Sequence, residues 1–342
     1  MRKLELGLDT FGDVTASAEG KLLSQAQVIR NVIAEGVLAD KVGIDFFGIG
    51  EHHRADFAVS SPEILLAAIA GQTSHIHLGS AVTVLSSDDP IRVFQRFSTL
   101  DAASNGRSEV LLGRGSFIES FPLFGFDLNQ YEMLFEEKLD LFSKLLEQKP
   151  VTWSGKTRPP LKDISVYPPV EHGTLKTWIG VGGSPNSAVR AAYCGLPMMV
   201  AIIGGEPERF LPFFELYRQS LQKLGKPMLD VGVHSHGYVA ETDEQARNDL
   251  FVPWKAMRDH IGADRGWPPT RRADFEREAA VGSLYIGSPE TVALRIANTA
   301  KALGINRFSM KYSAGALPHE KLMRSIELYG TKVMPMVHEI LG

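Results

Sequence analysis

The stretch of sequence that decides the fold is Phe46-Phe47-Gly48-Ile49-Gly50-Glu51-His52-His53-Arg54. Its first residues are apolar or glycine, and an acid, two histidines and an arginine follow at once. This pattern is typical of a buried strand that ends at a functional edge, which in a barrel of parallel strands is where catalytic residues lie. A histidine there can act as an acid or base near neutral pH, so Glu51, His52 and His53 are catalytic candidates. The alternative is a pair of solvated histidines in a loop.

Seven other segments have strand-like patterns, and they alternate with segments that have helical periodicity or helix start signals. The eight predicted strands are 4–8, 46–50, 77–84, 109–112, 177–181, 196–202, 231–240 and 307–311. Their order predicts an α/β fold, a (β/α)₈ TIM barrel forming one domain over residues 1–342, with insertions after strands four and seven at 150–169 and 262–287. The competing fold is an open doubly wound sheet, whose glycine-rich dinucleotide fingerprint is absent after the first strand.

Composition argues against several classes of protein. The 342 residues carry a formal net charge of −4, which gives no electrostatic reason to expect nucleic acid or an acidic membrane as a partner. The single cysteine, Cys194, excludes an internal disulfide and a zinc–cysteine cluster. No apolar run reaches the roughly 18 residues of a membrane span, and the N-terminus lacks the apolar core of a secretory signal. We therefore expect a cytoplasmic protein.

The residues of two segments predict an anion site at the carboxyl ends of the barrel strands. Arg114 lies between two glycines just after the fourth strand, where a ligand can approach and a guanidinium suits phosphate. Residues 182–187 (Gly-Gly-Ser-Pro-Asn-Ser) join the fifth strand to a helix, whose free N–H groups and dipole favour an anion. The alternatives are an arginine in an ordinary turn and a helix start capped by Ser184. For residues 182–187 the capped helix start is the simpler interpretation.

The remaining histidine pair and an aromatic segment have more than one interpretation. His234 and His236 lie on one face of the seventh predicted strand, but no carboxylate partner is identifiable in the sequence. We interpret them as pocket-lining or structural residues and predict no metal site. Four phenylalanines could line an apolar pocket or simply pack: Phe117, Phe121, Phe124 and Phe126.

Taken together, these motifs resemble the bacterial luciferase-like flavin-dependent monooxygenases. The matching segments are 50–53, 78–85 with 89–90, 100–101 with 106–107, 113–115 with 124–125, 191–198 and 317–321. They run in order along the chain, and the resemblance is weakest across the two insertions. It implies a barrel that binds FMN noncovalently. Such proteins are usually homodimers. It also implies O₂ as co-substrate and reduced FMN supplied by a separate flavin reductase.

The resemblance implies roles for individual residues as well. It places Glu51 and His52 at the flavin as the catalytic residues. A non-proline cis peptide between Ala81 and Val82 is expected under the isoalloxazine ring. The residues matched to the flavin phosphate site are Arg114, Gly183, Ser184 and Ser187.

The resemblance has one departure that bears on function. Luciferase has an acid where this chain has Gly183, so the aldehyde-oxidising light reaction does not carry over. The prediction is an FMN-dependent monooxygenase acting on a small organic substrate. The alternatives are a deazaflavin-dependent dehydrogenase of the same superfamily and a flavin-binding protein without turnover. The polar segment 262–287 is predicted to be a structureless lid over the flavin.

Overall fold

The computed structural model describes residues 3–115 and 117–342, and its centre is a barrel of parallel strands. The strands are β1 (Glu5–Thr10), β2 (Phe46–Ile49), β3 (His77–Ser80), β4 (Thr83–Val84), β5 (Ser108–Gly113), β6 (Val151–Trp153), β7 (Leu161–Ile164), β8 (Lys176–Val181), β9 (Met198–Ala201), β10 (Val231–Val239), β11 (Tyr285–Gly287) and β12 (Arg307–Lys311). Around the barrel, the neighbours run β1, β2, β3, β5, β8, β9, β10 and β12, and β12 pairs with β1. This closed ring confirms the predicted (β/α)₈ barrel.

Helices alternate with the strands and cover the outside of the barrel. They are α1 (Gln25–Lys41), α2 (Pro62–Ala70), α3 (Pro90–Ser104), α4 (Ser120–Phe124), α5 (Tyr131–Leu145), α6 (Pro185–Cys194), α7 (Leu211–Lys223), α8 (Asp243–Ala263), α9 (Arg272–Ala280), α10 (Pro289–Leu303), α11 (His319–Leu328) and α12 (Met334–Leu341). Helix α3 is capped by Asp89, whose side chain accepts hydrogen bonds from the N–H groups of Ile91 and Arg92. Among the described residues, no helix combines the length and apolarity needed to cross a membrane.

Side chains on successive strand residues point to opposite faces, so each strand serves two environments. On β1, Leu6 and Leu8 are fully buried in the apolar layer that includes residues of the surrounding helices. Asp9 is also fully buried but makes polar contacts: its Oδ2 accepts a hydrogen bond from Ser309 Oγ at 2.7 Å and lies 2.9 Å from His234 Nδ1. At Asp9 the barrel interior is therefore polar, whereas the layer outside β1 is apolar.

The amino end of the barrel is filled by a basal ion-pair cluster of Glu5, Glu109, Lys176 and Arg307. Arg307 is 2% exposed and donates hydrogen bonds to Glu109 at 2.7 and 3.0 Å and to Glu5 at 2.8 Å. Lys176 Nζ lies 3.0 Å from Glu109 Oε1. Burial alone raises the pKa of the Glu109 carboxyl, but Arg307 and its other partners hold that pKa well below its usual range. Charged side chains that pair with one another thus close this end of the barrel.

The third predicted strand is divided in two. Its segments β3 and β4 flank the peptide bond between Ala81 and Val82, which is cis. β3 pairs with β2 and β5, whereas β4 pairs with β5. The expected non-proline cis peptide is therefore present at the position that the resemblance indicated.

The two predicted insertions differ in kind. Residues 150–169 contain the antiparallel hairpin β6–β7. The prediction of a structureless segment at 262–287 is wrong, because α9 and β11 lie within it. Phe275 of α9 is fully buried and contacts Phe251 at 5.2 Å and Trp254 at 5.3 Å between ring centroids. Phe275 and the small Ala279 are the buried residues of α9, so its apolar periodicity is weak.

Candidate active site

The carboxyl end of the barrel is lined by small residues on neighbouring strands. A Cβ atom at Gly113 would lie 2.6 Å from Val82 Cγ2, and one at Gly50 would lie 2.8 Å from the Ala81 carbonyl oxygen. A Cβ at Gly180 would lie 3.5 Å from Val82 Cγ1. Larger side chains at Gly50 and Gly113 would therefore clash with the segment around the cis bond. The result is a wall built largely of backbone, with the partly exposed Val82 side chain lying over it.

Glu51 lies just after β2 and connects that strand to the wall. Its Oε2 accepts a hydrogen bond from the Val84 N–H at 2.9 Å, and its own N–H donates to the Val82 carbonyl at 3.2 Å. Its Oε1 lies 2.8 Å from Nε2 of His53. Glu51 therefore contacts the second histidine of the motif through its side chain, and its direct structural effect is to hold residues 82–84 in place.

His52 lies in a small aromatic enclosure. Its ring centroid is 4.5 Å from those of Phe11 and Phe57 and 5.2 Å from that of Phe117. Burial, with a further contribution from the Lys311 ammonium, lowers the pKa of His52 to about 3. The ring is therefore neutral at pH 7, which disfavours an acid–base role near that pH, and the catalytic role of His52 stays a prediction. A neutral imidazole can still donate or accept a hydrogen bond.

A buried lysine–aspartate pair lies near this enclosure. Lys311 and Asp13 are each 1% exposed, and Lys311 Nζ donates to Asp13 Oδ2 at 2.8 Å. The ammonium also lies 4.6 Å from the centre of the Phe11 ring. Burial, together with this ammonium, lowers the pKa of His236 to about 3. This pair was not predicted from the sequence, although Asp13 follows β1 and Lys311 ends β12, and these two strands are neighbours.

Asp9 supplies the carboxylate partner that the sequence did not reveal for the His234–His236 pair. Its Oδ2 fixes His234, while its Oδ1 is buried without a hydrogen-bond partner among the described residues. Among those residues, no group of three or more His, Cys, Asp or Glu side chains is arranged to hold a metal ion. The structure thus places His234 inside the barrel as a hydrogen-bonded lining residue.

The predicted anion-site residues come together beside the mouth. Arg114 Nη2 donates to Ser187 Oγ at 3.4 Å, although Ser187 lies 73 positions further along the chain. Ser184 is the residue before α6, but its side chain makes no capping hydrogen bond, so the simple cap interpretation does not account for it. Gly183 is exposed with a φ of +118°, and a Cβ atom there would meet nothing within 4 Å. The backbone at this turn is therefore open to a ligand.

Three residues around Arg114 were missed by the sequence analysis. The Arg114 guanidinium lies 5.3 Å from the Tyr131 ring centre, and the Tyr131 hydroxyl donates to the Gly115 carbonyl at 2.8 Å. Glu132 pairs with Arg114 and also accepts a hydrogen bond from Arg190 at 3.1 Å. Arg190 follows Ser187 by three positions on α6, which is a spacing that puts two side chains on one helical face. That spacing was the available signal for Arg190.

Three chain segments meet over the His52 enclosure. The Arg54 guanidinium lies 4.7 Å from the Phe117 ring centre and pairs with Glu119. Arg54 Nη1 also lies 3.5 Å from Asp264 Oδ2, just after the end of α8. The Arg265 guanidinium lies 5.2 Å from the same Phe117 ring. The amino end of segment 262–287 therefore covers the site, whereas its helix α9 packs elsewhere against α8.

Comparison with known proteins agrees with this architecture. The alpha chain of alkanal monooxygenase from Photorhabdus luminescens is 22% identical, over 96% of this chain and 98% of that relative. The oxygenating constituent of 3,6-diketocamphane monooxygenase from Pseudomonas putida, solved with FMN, superposes with a TM-score of 0.77 at 20% identity, covering 98% of this chain and 99% of that chain. An F420-dependent secondary alcohol dehydrogenase gives 0.76 at 16% identity, with coverage of 98% and 99%.

At these identities the two solved structures show the fold alone. The family is shown by a separate comparison, in which the profile described as luciferase-like monooxygenase matches residues 10–307. That range includes the cis bond, the anion-site residues and the barrel strands from β2 to β10. The chain therefore belongs to the luciferase-like monooxygenase family.

Proposed function

We propose that this protein is a flavin-dependent monooxygenase that uses reduced FMN and O₂ to oxygenate a small organic substrate. The main support is that an anion site and an apolar enclosure share one barrel mouth. Val82 connects them: its carbonyl accepts from the Glu51 N–H, and its side chain occupies the space that a Cβ atom would need at Gly113, the residue before Arg114. FMN carries a phosphate on a planar ring system, so one molecule could occupy both parts.

The residues present fit such a cofactor. Arg114, the Ser184 and Ser187 hydroxyls and the open backbone at Gly183 would hold the phosphate, since guanidinium and N–H donors favour phosphate oxygens. The wall at Ala81 and Val82 would support the ring, because the small residues behind it leave no side chain in the way. Reduced flavin would supply the reaction with O₂, which no amino acid side chain provides.

The protein's own residues would position the substrate and exclude water. The rings of Phe11, Phe57 and Phe117 surround His52 and keep its environment apolar. His52 would donate or accept one hydrogen bond as a neutral imidazole, aimed at an oxygen of the substrate or co-substrate. Glu51 would keep the wall in register through its bond to the Val84 N–H. Residues 264–265 would close the mouth, a narrower form of the predicted lid.

The partners belong to the same proposal. A separate flavin reductase would supply reduced FMN, and the protein would act as a homodimer, as the family resemblance implies. The competing cofactor is a deazaflavin, which the fold also accommodates in a dehydrogenase. A deazaflavin enzyme would transfer hydride without consuming O₂.

The deciding experiment is a cofactor titration followed by an oxygen assay. Purified protein is titrated with FMN, riboflavin and a deazaflavin, and O₂ uptake coupled to product formation is then measured with a flavin reductase and a panel of small organic substrates. The proposal predicts FMN binding and substrate-dependent incorporation of one oxygen atom. Binding of the deazaflavin alone, or hydride transfer that is independent of O₂, would overturn it.

A further inference from the structure

The carboxylate of Glu132 lies where the proposed phosphate site has its two arginines. Glu132 is in the first turn of α5, and its side chain is 57% exposed. Its Oε1 pairs with Arg114 Nη1, and its Oε2 accepts from Arg190 Nη2 at 3.1 Å. Arg114 also reaches Ser187 at the start of α6. An exposed acid thus pairs with both guanidinium groups beside the open turn.

The two arginines are held more firmly than the acid between them. The Arg190 side chain is 14% exposed, lies 5.6 Å from the Phe135 ring centre and donates to Glu136 at 2.7 Å. The Arg114 side chain is 23% exposed and lies against Tyr131. Glu132 could therefore rotate into solvent while both guanidinium groups keep their positions.

We infer that Glu132 occupies the phosphate position when no cofactor is bound, and that the cofactor phosphate displaces it and binds both Arg114 and Arg190. This inference rests on the proposed function, and it deepens it by adding a second phosphate-binding arginine and a competing internal anion. A phosphate monoester carries about −1.5 to −2 charges at neutral pH and three acceptor oxygens, so it matches two guanidinium groups better than one carboxylate does.

The exchange has a consequence for cofactor handling. A protein whose site is filled by its own acid binds the ligand with an apparent affinity reduced by the fraction of closed sites. FMN would then bind less tightly than the contacts alone allow and would leave more readily. Such behaviour suits a cofactor that is reduced elsewhere and delivered at each turnover. Glu136 keeps its bond to Arg190 and would orient that guanidinium throughout the exchange.

The test compares ligands with and without a phosphate at fixed ionic strength. Dissociation constants for FMN, riboflavin and inorganic phosphate are measured on cofactor-free wild type and on Glu132→Gln, Arg190→Ala and the matched control Glu136→Gln. We expect Glu132→Gln to bind FMN and phosphate about tenfold more tightly and riboflavin unchanged. Arg190→Ala should bind FMN about tenfold or more weakly, again with riboflavin unchanged. Glu136→Gln removes a nearby charge of the same sign but keeps an acceptor for Arg190, so it should tighten FMN binding by much less than Glu132→Gln does.

The outcomes separate this inference from the proposed function. Unchanged or weaker FMN and phosphate binding by Glu132→Gln would overturn the inference while leaving FMN as the cofactor. An equal gain for riboflavin would overturn it too, because the effect would not then act through the phosphate. Unchanged FMN binding by Arg190→Ala would overturn the second arginine's role. If wild type binds no FMN, the proposed cofactor fails, and the inorganic phosphate titration still tests Glu132.

Discussion

The two ends of the barrel are built from the same strands but carry opposite kinds of residue. From amino to carboxyl end, the inward residues of β5 and β8 are Glu109, Leu111 and Gly113, and Lys176, Trp178 and Gly180. At the amino end, the basal ion-pair cluster fills the interior with large side chains and paired charges. At the carboxyl end, glycines leave a backbone wall beside neutral histidines. Side-chain size along a single strand therefore decides which end is closed and which can admit a ligand.

The largest predicted effect is a loss of stability when the ion pairs at the closed end are removed. Arg307→Met leaves Glu109 as a fully buried carboxylate that has lost its main partner, and we expect the free energy of unfolding to fall by about 3–5 kcal/mol. Chemical denaturation measures this directly. The control is Arg324→Met, which removes an exposed pair with Glu241 and should cost no more than about 1 kcal/mol. Similar losses for the two variants would show that the basal ion-pair cluster does not stabilise the barrel in this way.

The second prediction concerns the open end. His52→Ala removes the imidazole that lies inside the phenylalanine enclosure but leaves the anion site intact, so oxygenation should fall about 10²–10³-fold while FMN affinity changes little. Because the pKa of His52 is about 3, the wild-type rate should show no step from this residue between pH 5 and 8. Single-turnover product analysis across that pH range provides the measurement. His53→Ala should cost less, and equal losses would mean that the wrong histidine has been assigned.

The third prediction concerns Arg114, at the edge of the open end. Arg114→Ala removes the guanidinium that reaches Ser187, and FMN binding should weaken by about 1.5–3 kcal/mol, the value of a hydrogen bond to a charged group. Riboflavin binding should be unaffected. Fluorescence titration with both ligands gives the answer, and unchanged FMN affinity would remove Arg114 from the phosphate site.

The elements that the sequence predicted and those that it missed differ in physical origin. The strand ends at Gly50 and Gly113 were predictable, because apolar runs stop abruptly beside charged or glycine residues. Arg114 and Ser187 were both identified, but their contact depends on strands β5 and β8 being neighbours. The Asp13–Lys311 pair joins residues near opposite ends of the chain, and no local sequence pattern indicates it.

The same limit applied to helix α9 and to the charges around the anion site. Phe275 anchors α9 through contacts with α8, so its helical state depends on tertiary packing more than on its own periodicity. Glu132 and Arg190 lie 58 positions apart, and neither residue alone indicates in the sequence which side chain it pairs with. Only the folded chain shows that they share a site with Arg114.

The smallest predicted effect comes from a titratable contact outside the barrel. His319 Nδ1 lies 2.7 Å from Glu35 Oε1, and Glu35 also accepts from the Tyr312 hydroxyl at 2.6 Å, which joins α1, α11 and the end of β12. Burial alone would lower the pKa of His319, but Glu35 raises it above its usual value. In the folded state the ring therefore holds its proton to higher pH than in the unfolded chain, whose pKa is about 6.5.

That difference fixes the pH window of the effect. The stabilisation from His319 is fully present below about pH 6.5 and is lost as pH rises through the higher folded-state pKa. His52 and His236 act in the opposite window, because their lowered pKa values of about 3 remove stability as pH falls below about 6.5. Denaturation of wild type and His319→Gln at several pH values separates the contribution of His319 from that of His52 and His236. We expect the variant to lose the decline above pH 6.5 and to keep the acid-side decline. A wild-type decline above pH 6.5 that persists in His319→Gln would contradict the assignment.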